Sequence, residues 1–219
     1  MSRSSILYLT LFLALLPLSL SQAFRPLVTD DAGTVPCNTF ELELSGDNAD
    51  NSGTMGLCFA HGITERMDLG VSIGRCIHPF HERGFFNAEL GLKFALLPDL
   101  LSASFTGSFA DPTYSSTLIF SRSMGAVSLH TNGGFTAMAN TDNVDLTYGL
   151  AAMYQIGRYS IGTEIAGTQH EVNWWQVAQL VSITRWLIID IGLGGGFNTH
   201  SSLTITAGLF FAFPTLGEN

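Results

Sequence analysis

From Thr39 onward the chain alternates apolar and polar residues with a period of two. Phe40, Leu42 and Leu44 stand against Glu41 and Glu43, and Phe86, Ala88, Leu90, Leu92 and Phe94 against Asn87, Glu89, Gly91 and Lys93. Val144, Leu146, Tyr148 and Leu150 oppose Asp145, Thr147, Gly149 and Ala151 in the same way, and Leu203 to Phe213 repeats it at the other end of the chain. Successive side chains of a strand point to opposite faces, so this pattern predicts strands with one apolar and one polar face. No helical period competes with it over a long window. Runs bounded by turn residues give about twelve strands, starting near Thr39, Thr54, Asp68, Phe85, Leu101, Ser116, Gly125, Val144, Tyr159, Trp175, Trp186 and Ser202.

The connections alternate in kind. Short turns fall at Thr64-Glu65-Arg66, Pro98-Asp99, Ser123-Met124, Gly157-Arg158 and Thr184-Arg185. Longer polar or glycine-containing links lie between them, at Gly46 to Gly53, His78 to Gly84, Asp111 to Ser115, Ala139 to Asn143, Gln169 to Asn173 and Asn198 to Ser201. Tight turns on one rim and looser loops on the other, with an even strand number, predict a transmembrane antiparallel up-and-down β-barrel of the outer-membrane kind. Lipid offers the backbone no hydrogen-bond partner, so such strands must close on themselves, apolar face outward and polar face inward. Both termini fall on the short-turn rim, which then faces the periplasm.

Composition supports this reading over an aqueous β-sandwich. Charged residues make up only 12% of the chain, too few for a soluble surface. Lys and Arg number 9 against 18 Asp and Glu, a formal charge of −9, which excludes nucleic acid as a partner. The first residues read as an export signal: Arg3, the apolar run Ile6 to Leu20, and the small-x-small site Ser21-Gln22-Ala23. The expected organisation is a cleaved signal peptide over 1–23, an N-terminal segment over 24–38, a barrel over 39–213 and a tail over 214–219. Within the N-terminal segment, Phe24 to Pro36 is expected as an ordered periplasmic tail, with entry into the lumen as a partial plug the other placement. Cys37, Cys58 and Cys76 form no metal-binding spacing, and either three buried thiols or one disulfide fits them.

Alternation sends Glu41, Glu43, Glu89, Lys93, His130, Asn132, Asp145, Glu164 and Asp190 to the lumen. Two readings follow. One is an acidic pore lining that repels anions; the other is a plugged interior in which these groups satisfy one another around Lys93. Gly70-Val71-Ser72-Ile73-Gly74 matches the G-x-S-x-G pattern, but it lies within a strand and lacks the strand-to-helix turn that exposes such a serine. His130-Thr131-Asn132-Gly133 loosely resembles the His-x-Ser-Asn-Gly run of outer-membrane phospholipase, yet Thr replaces Ser and His130 points inward. No catalytic residue is assigned. His78, His81, His170 and His200 fall in links of the loop rim without a metal-ligand spacing, and no motif implies a metal or other cofactor.

The run Ala23-Phe24-Arg25-Pro26-Leu27-Val28-Thr29-Asp30-Asp31-Ala32-Gly33-Thr34-Val35, followed by Phe40 to Leu44 and Gly62 to Val71, resembles the outer-membrane proteins of the MetA-pathway-of-phenol-degradation family. The resemblance implies a Gram-negative outer-membrane barrel that passes hydrophobic or aromatic compounds, and it carries over no site residues. In such chains a final-strand aromatic is read by the barrel-assembly machinery. Here Phe213 is followed by Pro214 and a short tail.

The expected function is an outer-membrane channel passing small hydrophobic or aromatic solutes through an acidic lumen. The expected partners are outer-membrane lipid, the barrel-assembly machinery during biogenesis and the solute itself. Two alternatives stand beside it: a structural or adhesive barrel with a blocked lumen, and a lipid-acting barrel enzyme.

Overall fold

The structure, a computed structural model, describes residues 26–50, 52–79, 84–109, 112–139, 141, 143–197 and 202–214. The expected signal peptide and the tail beyond 214 lie outside these residues. Twelve strands follow one another: β1 (Thr39–Ala49), β2 (Ser52–Thr64), β3 (Met67–His78), β4 (Gly84–Leu97), β5 (Leu101–Ser108), β6 (Thr113–Met124), β7 (Val127–Met138), β8 (Val144–Ile156), β9 (Tyr159–Thr168), β10 (Val172–Thr184), β11 (Leu187–Gly195) and β12 (Leu203–Pro214). Each pairs antiparallel with its neighbours in sequence, and β1 pairs with β12 from Thr39↔Pro214 to Asn48↔Ile205, closing the barrel. Closure leaves the sheet no free edge, which is what a backbone in lipid requires.

The alternation read from the sequence is the wall of this barrel. Val71, Leu90, Leu118, Leu150, Val177 and Ile191 are exposed on the outer face, while Ser72, Glu89, Ala151, Gln176, Ala178 and Asp190 face inward. An apolar surface of this extent would aggregate in water and is satisfied by acyl chains. Gln179 lies on the outer face, paired between Ile161 and Ile191, so this polar residue interrupts the apolar surface of β10 without shifting its phase.

Tight turns join β2 to β3, β4 to β5, β6 to β7, β8 to β9 and β10 to β11 on one rim. Gly125 and Gly157 sit at φ 65° and 61° in two of them, a conformation that glycine adopts without steric penalty. The link expected over Gly46 to Gly53 is instead almost all strand, because β1 runs to Ala49 and β2 resumes at Ser52. Turn-forming Gly, Asp and Asn residues there obscured a ladder that pairs Gly46 with Met55 and Asn48 with Gly53.

Candidate functional site: a segment inside the barrel

Residues 26–38 lie within the lumen, not beneath the barrel as a periplasmic tail. The segment is tied to the tight-turn rim at its C-terminal end, where the Asn38 N–H donates to Gly62 O (3.0 Å) and the Thr39 N–H to Pro36 O (3.0 Å). A Cβ on residue 62 would stand 2.0 Å from the Pro36 carbonyl oxygen, so glycine is what lets the two backbones approach.

An extended chain inside a closed barrel has no strand to pair with, and its backbone groups must find other partners. Here the wall's side chains supply them. The Val35 N–H donates to Asp68 Oδ2 of β3 (2.9 Å) and the Ala32 N–H to Ser121 Oγ of β6 (2.8 Å). Ala32 O accepts from Ser102 Oγ of β5. Halfway up the barrel, the Asn132 amide of β7 brackets Asp30, its oxygen accepting from the Asp30 N–H (2.6 Å) and its nitrogen donating to Asp30 O (2.9 Å). The Glu164 carboxylate of β9 then accepts from two successive amides, Val28 N–H on Oε1 and Thr29 N–H on Oε2, both at 2.8 Å. The Asp31 N–H and the Gly33 N–H are taken by Asp30 Oδ1 (2.8 Å) and Asp31 Oδ1 (2.7 Å) within the segment itself.

Ionic contacts fix the same stretch. Lys93 Nζ of β4 lies 3.1 Å and 3.0 Å from the two Asp30 carboxylate oxygens and 3.8 Å from Asp31 Oδ1. Ser121 also meets His130 Nδ1 at 2.8 Å. Since Ser121 Oγ accepts from Ala32, its own proton goes to Nδ1, which leaves the imidazole proton on Nε2. Burial pushes the Asp31 carboxyl up to about 7 against the pull of Lys93, and Asp30 beside it adds to the rise.

Around Glu164, toward β8 and β10, the packing is apolar. Leu27 is buried against Ala151 and Met153 of β8 and Ala178 and Leu180 of β10, with Ile188 of β11 against them. Glycines on the wall make room for the segment: a Cβ at Gly149 would stand 2.6 Å from Thr29 Oγ1, and one at Gly192 would stand 3.1 Å from Pro26 Cγ. Above the segment, space remains in at least two places among the described residues. One of about 440 Å³ is lined by Pro26, Leu27, Val28, Asp47, Thr54, Trp174, Gln176, Thr204 and Thr206. The other, about 270 Å³, lies along β1 to β4 by Glu43, Asp47, Ser72 and Glu89.

Of the lumen residues named from the sequence, Lys93, Asn132 and Glu164 therefore hold the segment directly, and His130 does so through Ser121. Glu43 and Glu89 line the second space, where Ser72 Oγ donates to Glu89 Oε2 (3.4 Å), and Glu41 shares their face of β1. Asp190 is buried on β11, its carboxylate lying over Gly208, where a Cβ would stand 2.6 Å away. Asp145 is apart from all of these, exposed at the loop rim beside Gln169 (3.5 Å). Sequence reasoning missed Asp68, Ser102 and Ser121 as partners of the segment, although alternation puts all three inward. It left Trp174 out of the lumen residues as well. The indole turns into the lumen, its Nε1 donating to Glu164 Oε1 (3.2 Å) and Gln176 Oε1 (3.3 Å), next to a register shift between Val172 and Trp174.

Wall, surface and filled lumen together define a twelve-stranded transmembrane β-barrel of the outer-membrane class. Solved structures agree on the fold. The chain is similar to the COG4313 outer membrane channel from Pseudomonas putida F1 (TM-score 0.66, 10% identity, covering 85% of this chain and 100% of that one). It is also similar to the KdgM porin (0.64, 11%, 79% and 99%) and to the NanC porin (0.61, 9%, 78% and 98%). No family model and no curated protein matches the sequence.

Proposed function

We propose that this protein is an outer-membrane channel for small solutes, closed in the conformation described here by its own residues 26–38. The observation that carries the reading is how the segment is held. Its amides are received by side chains of β3, β6, β7 and β9 and not by a strand ladder, so it can leave without breaking the barrel. The fold shared with porins and a channel supports the same role. So does the resemblance to the MetA-pathway-of-phenol-degradation family, which falls on the segment itself and on the stretch that includes Gly62 and Asp68.

The vestibule above the segment combines Trp174, Leu27 and Val28 with hydroxyls and Asp47, a lining suited to a small, partly apolar or aromatic solute. Glu41, Glu43 and Glu89 make the lumen wall acidic, and a conducting state would favour neutral or cationic solutes. The KdgM porin was also solved in complex with disordered oligogalacturonate, an acidic oligosaccharide that this wall would repel. The test is conductance in a planar bilayer, with heat-modifiable gel mobility confirming that the barrel has folded. Wild type should be closed most of the time, and Lys93→Met should raise its open probability, with cations preferred. A folded barrel that conducts in neither form would overturn the channel reading in favour of a structural barrel with a blocked lumen.

A further inference from the structure

The basic residues are distributed unevenly over the barrel. Among the described residues, Lys93 is in the lumen and Arg75 stands near the loop rim, where its guanidinium lies 5.2 Å from the Phe85 ring centroid. The remaining four, Arg66, Arg122, Arg158 and Arg185, all lie at the tight-turn rim and come from different places around it. Arg66 is in the β2–β3 turn, Arg158 in the β8–β9 turn and Arg185 in the β10–β11 turn. Arg122 is exposed near the end of β6, on its outer face between Phe120 and Met124. Two of the four lie over interfacial rings: Arg185 Cζ is 4.0 Å from the Trp186 centroid and Arg158 Cζ 5.5 Å from that of Tyr159.

Acidic groups at this rim do not offset them. Glu65 lies beside Arg66, while Asp99 is turned toward segment 26–38, its Oδ1 3.9 Å from where a Gly33 Cβ would stand. The loop-rim links carry the opposite charge in sequence, with Asp50, Glu82, Asp111, Asp142 and Glu171 against Arg83.

We propose that these four arginines form a headgroup belt that selects net-anionic phospholipids in the periplasmic leaflet. A guanidinium presents a planar fork that pairs with two phosphate oxygens while its flat face stays on an aromatic ring. Stacking on Trp186 and Tyr159 holds two of the forks at the level where headgroups lie. An arginine beside an anionic leaflet strengthens attachment roughly fivefold, and belt positions around the rim would also fix the depth and tilt of the barrel. The belt is independent of whether the lumen conducts.

The test is native mass spectrometry of the full-length folded protein, presented with equal amounts of phosphatidylglycerol and phosphatidylethanolamine of the same chain length. Wild type should retain phosphatidylglycerol at least about fivefold over phosphatidylethanolamine, and added salt should lower the ratio. Replacing all four arginines by Gln should bring the ratio near one, whereas Arg75→Gln should leave it unchanged. Should the fourfold variant fail to fold, the pair Arg158→Gln and Arg185→Gln must still lower it. Equal retention of the two lipids by wild type, or a preference that survives in the folded Gln variants, would overturn the proposal.

Discussion

Glu164 is the strongest single hold on the inner segment, and Glu164→Gln isolates it. The side chain is 2% exposed and receives the Val28 and Thr29 amides at 2.8 Å each. A hydrogen bond to a charged group contributes about 1.5–3 kcal/mol, and a buried donor left without an acceptor costs about 1–3 kcal/mol. Glutamine keeps one carbonyl oxygen for one amide and turns its NH₂ toward the other. The expected loss is about 3 kcal/mol, equivalent to roughly a hundredfold larger released population. Hydrogen exchange read by mass spectrometry on the peptide containing Val28 and Thr29 measures this directly. The segment should exchange roughly a hundredfold faster, while the strand peptides of β1 and β12, which close the barrel, keep their protection. Trp174→Phe removes only the weaker third contact and should have a much smaller effect. If Val28 and Thr29 exchange within about threefold of wild type in a folded barrel, Glu164 does not hold the segment and the reasoning fails.

Two further outcomes follow from the same geometry. Asp31 has an ordinary value of 3.8 when released and about 7 when docked, so between these limits the docked state binds the extra proton. Docking is strongest on the acid side, weakens as pH rises from about 4 to about 7 and is level above that; open probability should be greater at pH 8 than at pH 5, and Asp31→Asn should flatten the difference. On the outer wall, Val71 lies between Phe59 and Leu90 on neighbouring strands. Val71→Arg should destabilise the barrel in vesicles by about 2–4 kcal/mol, measured by urea unfolding, and an unchanged midpoint would mean that this face does not meet lipid.

The barrel could be read from the chain because the information that specifies it is local. A strand with lipid on one side must alternate, and each residue's face follows from its neighbours two positions away. That is why Phe40/Glu41/Leu42/Glu43 and the run Ala88 to Phe94 revealed both strand and orientation, and why the turns at Glu65-Arg66 and Gly157-Arg158 revealed the rims. Turn propensity misled where it competed with that pattern, at Gly46 to Gly53 and at Ser123-Met124, where β6 runs on to Met124 and the turn falls at 125–126. Trp174 was missed because an aromatic ring carries no polar mark of a lumen residue, although it stands in phase with the inward Gln176 and Ala178.

What the inward face does was decided by the tertiary structure alone. Alternation sent Glu164, Lys93 and Asn132 into the lumen but could not say whether water, a solute or the protein's own chain would meet them there. Those partners are distant in sequence: Glu164 meets Val28 and Thr29 across 136 and 135 residues, and Lys93 meets Asp30 across 63. Segment 26–38 has no period of its own to advertise its place, because its amides are satisfied by single side chains of separate strands and not by a ladder. Only closing the barrel brings Asp68, Ser121, Asn132 and Glu164 around one path. Local alternation thus specifies the wall of this protein, whereas what fills the wall depends on contacts that exist only once the sheet has closed.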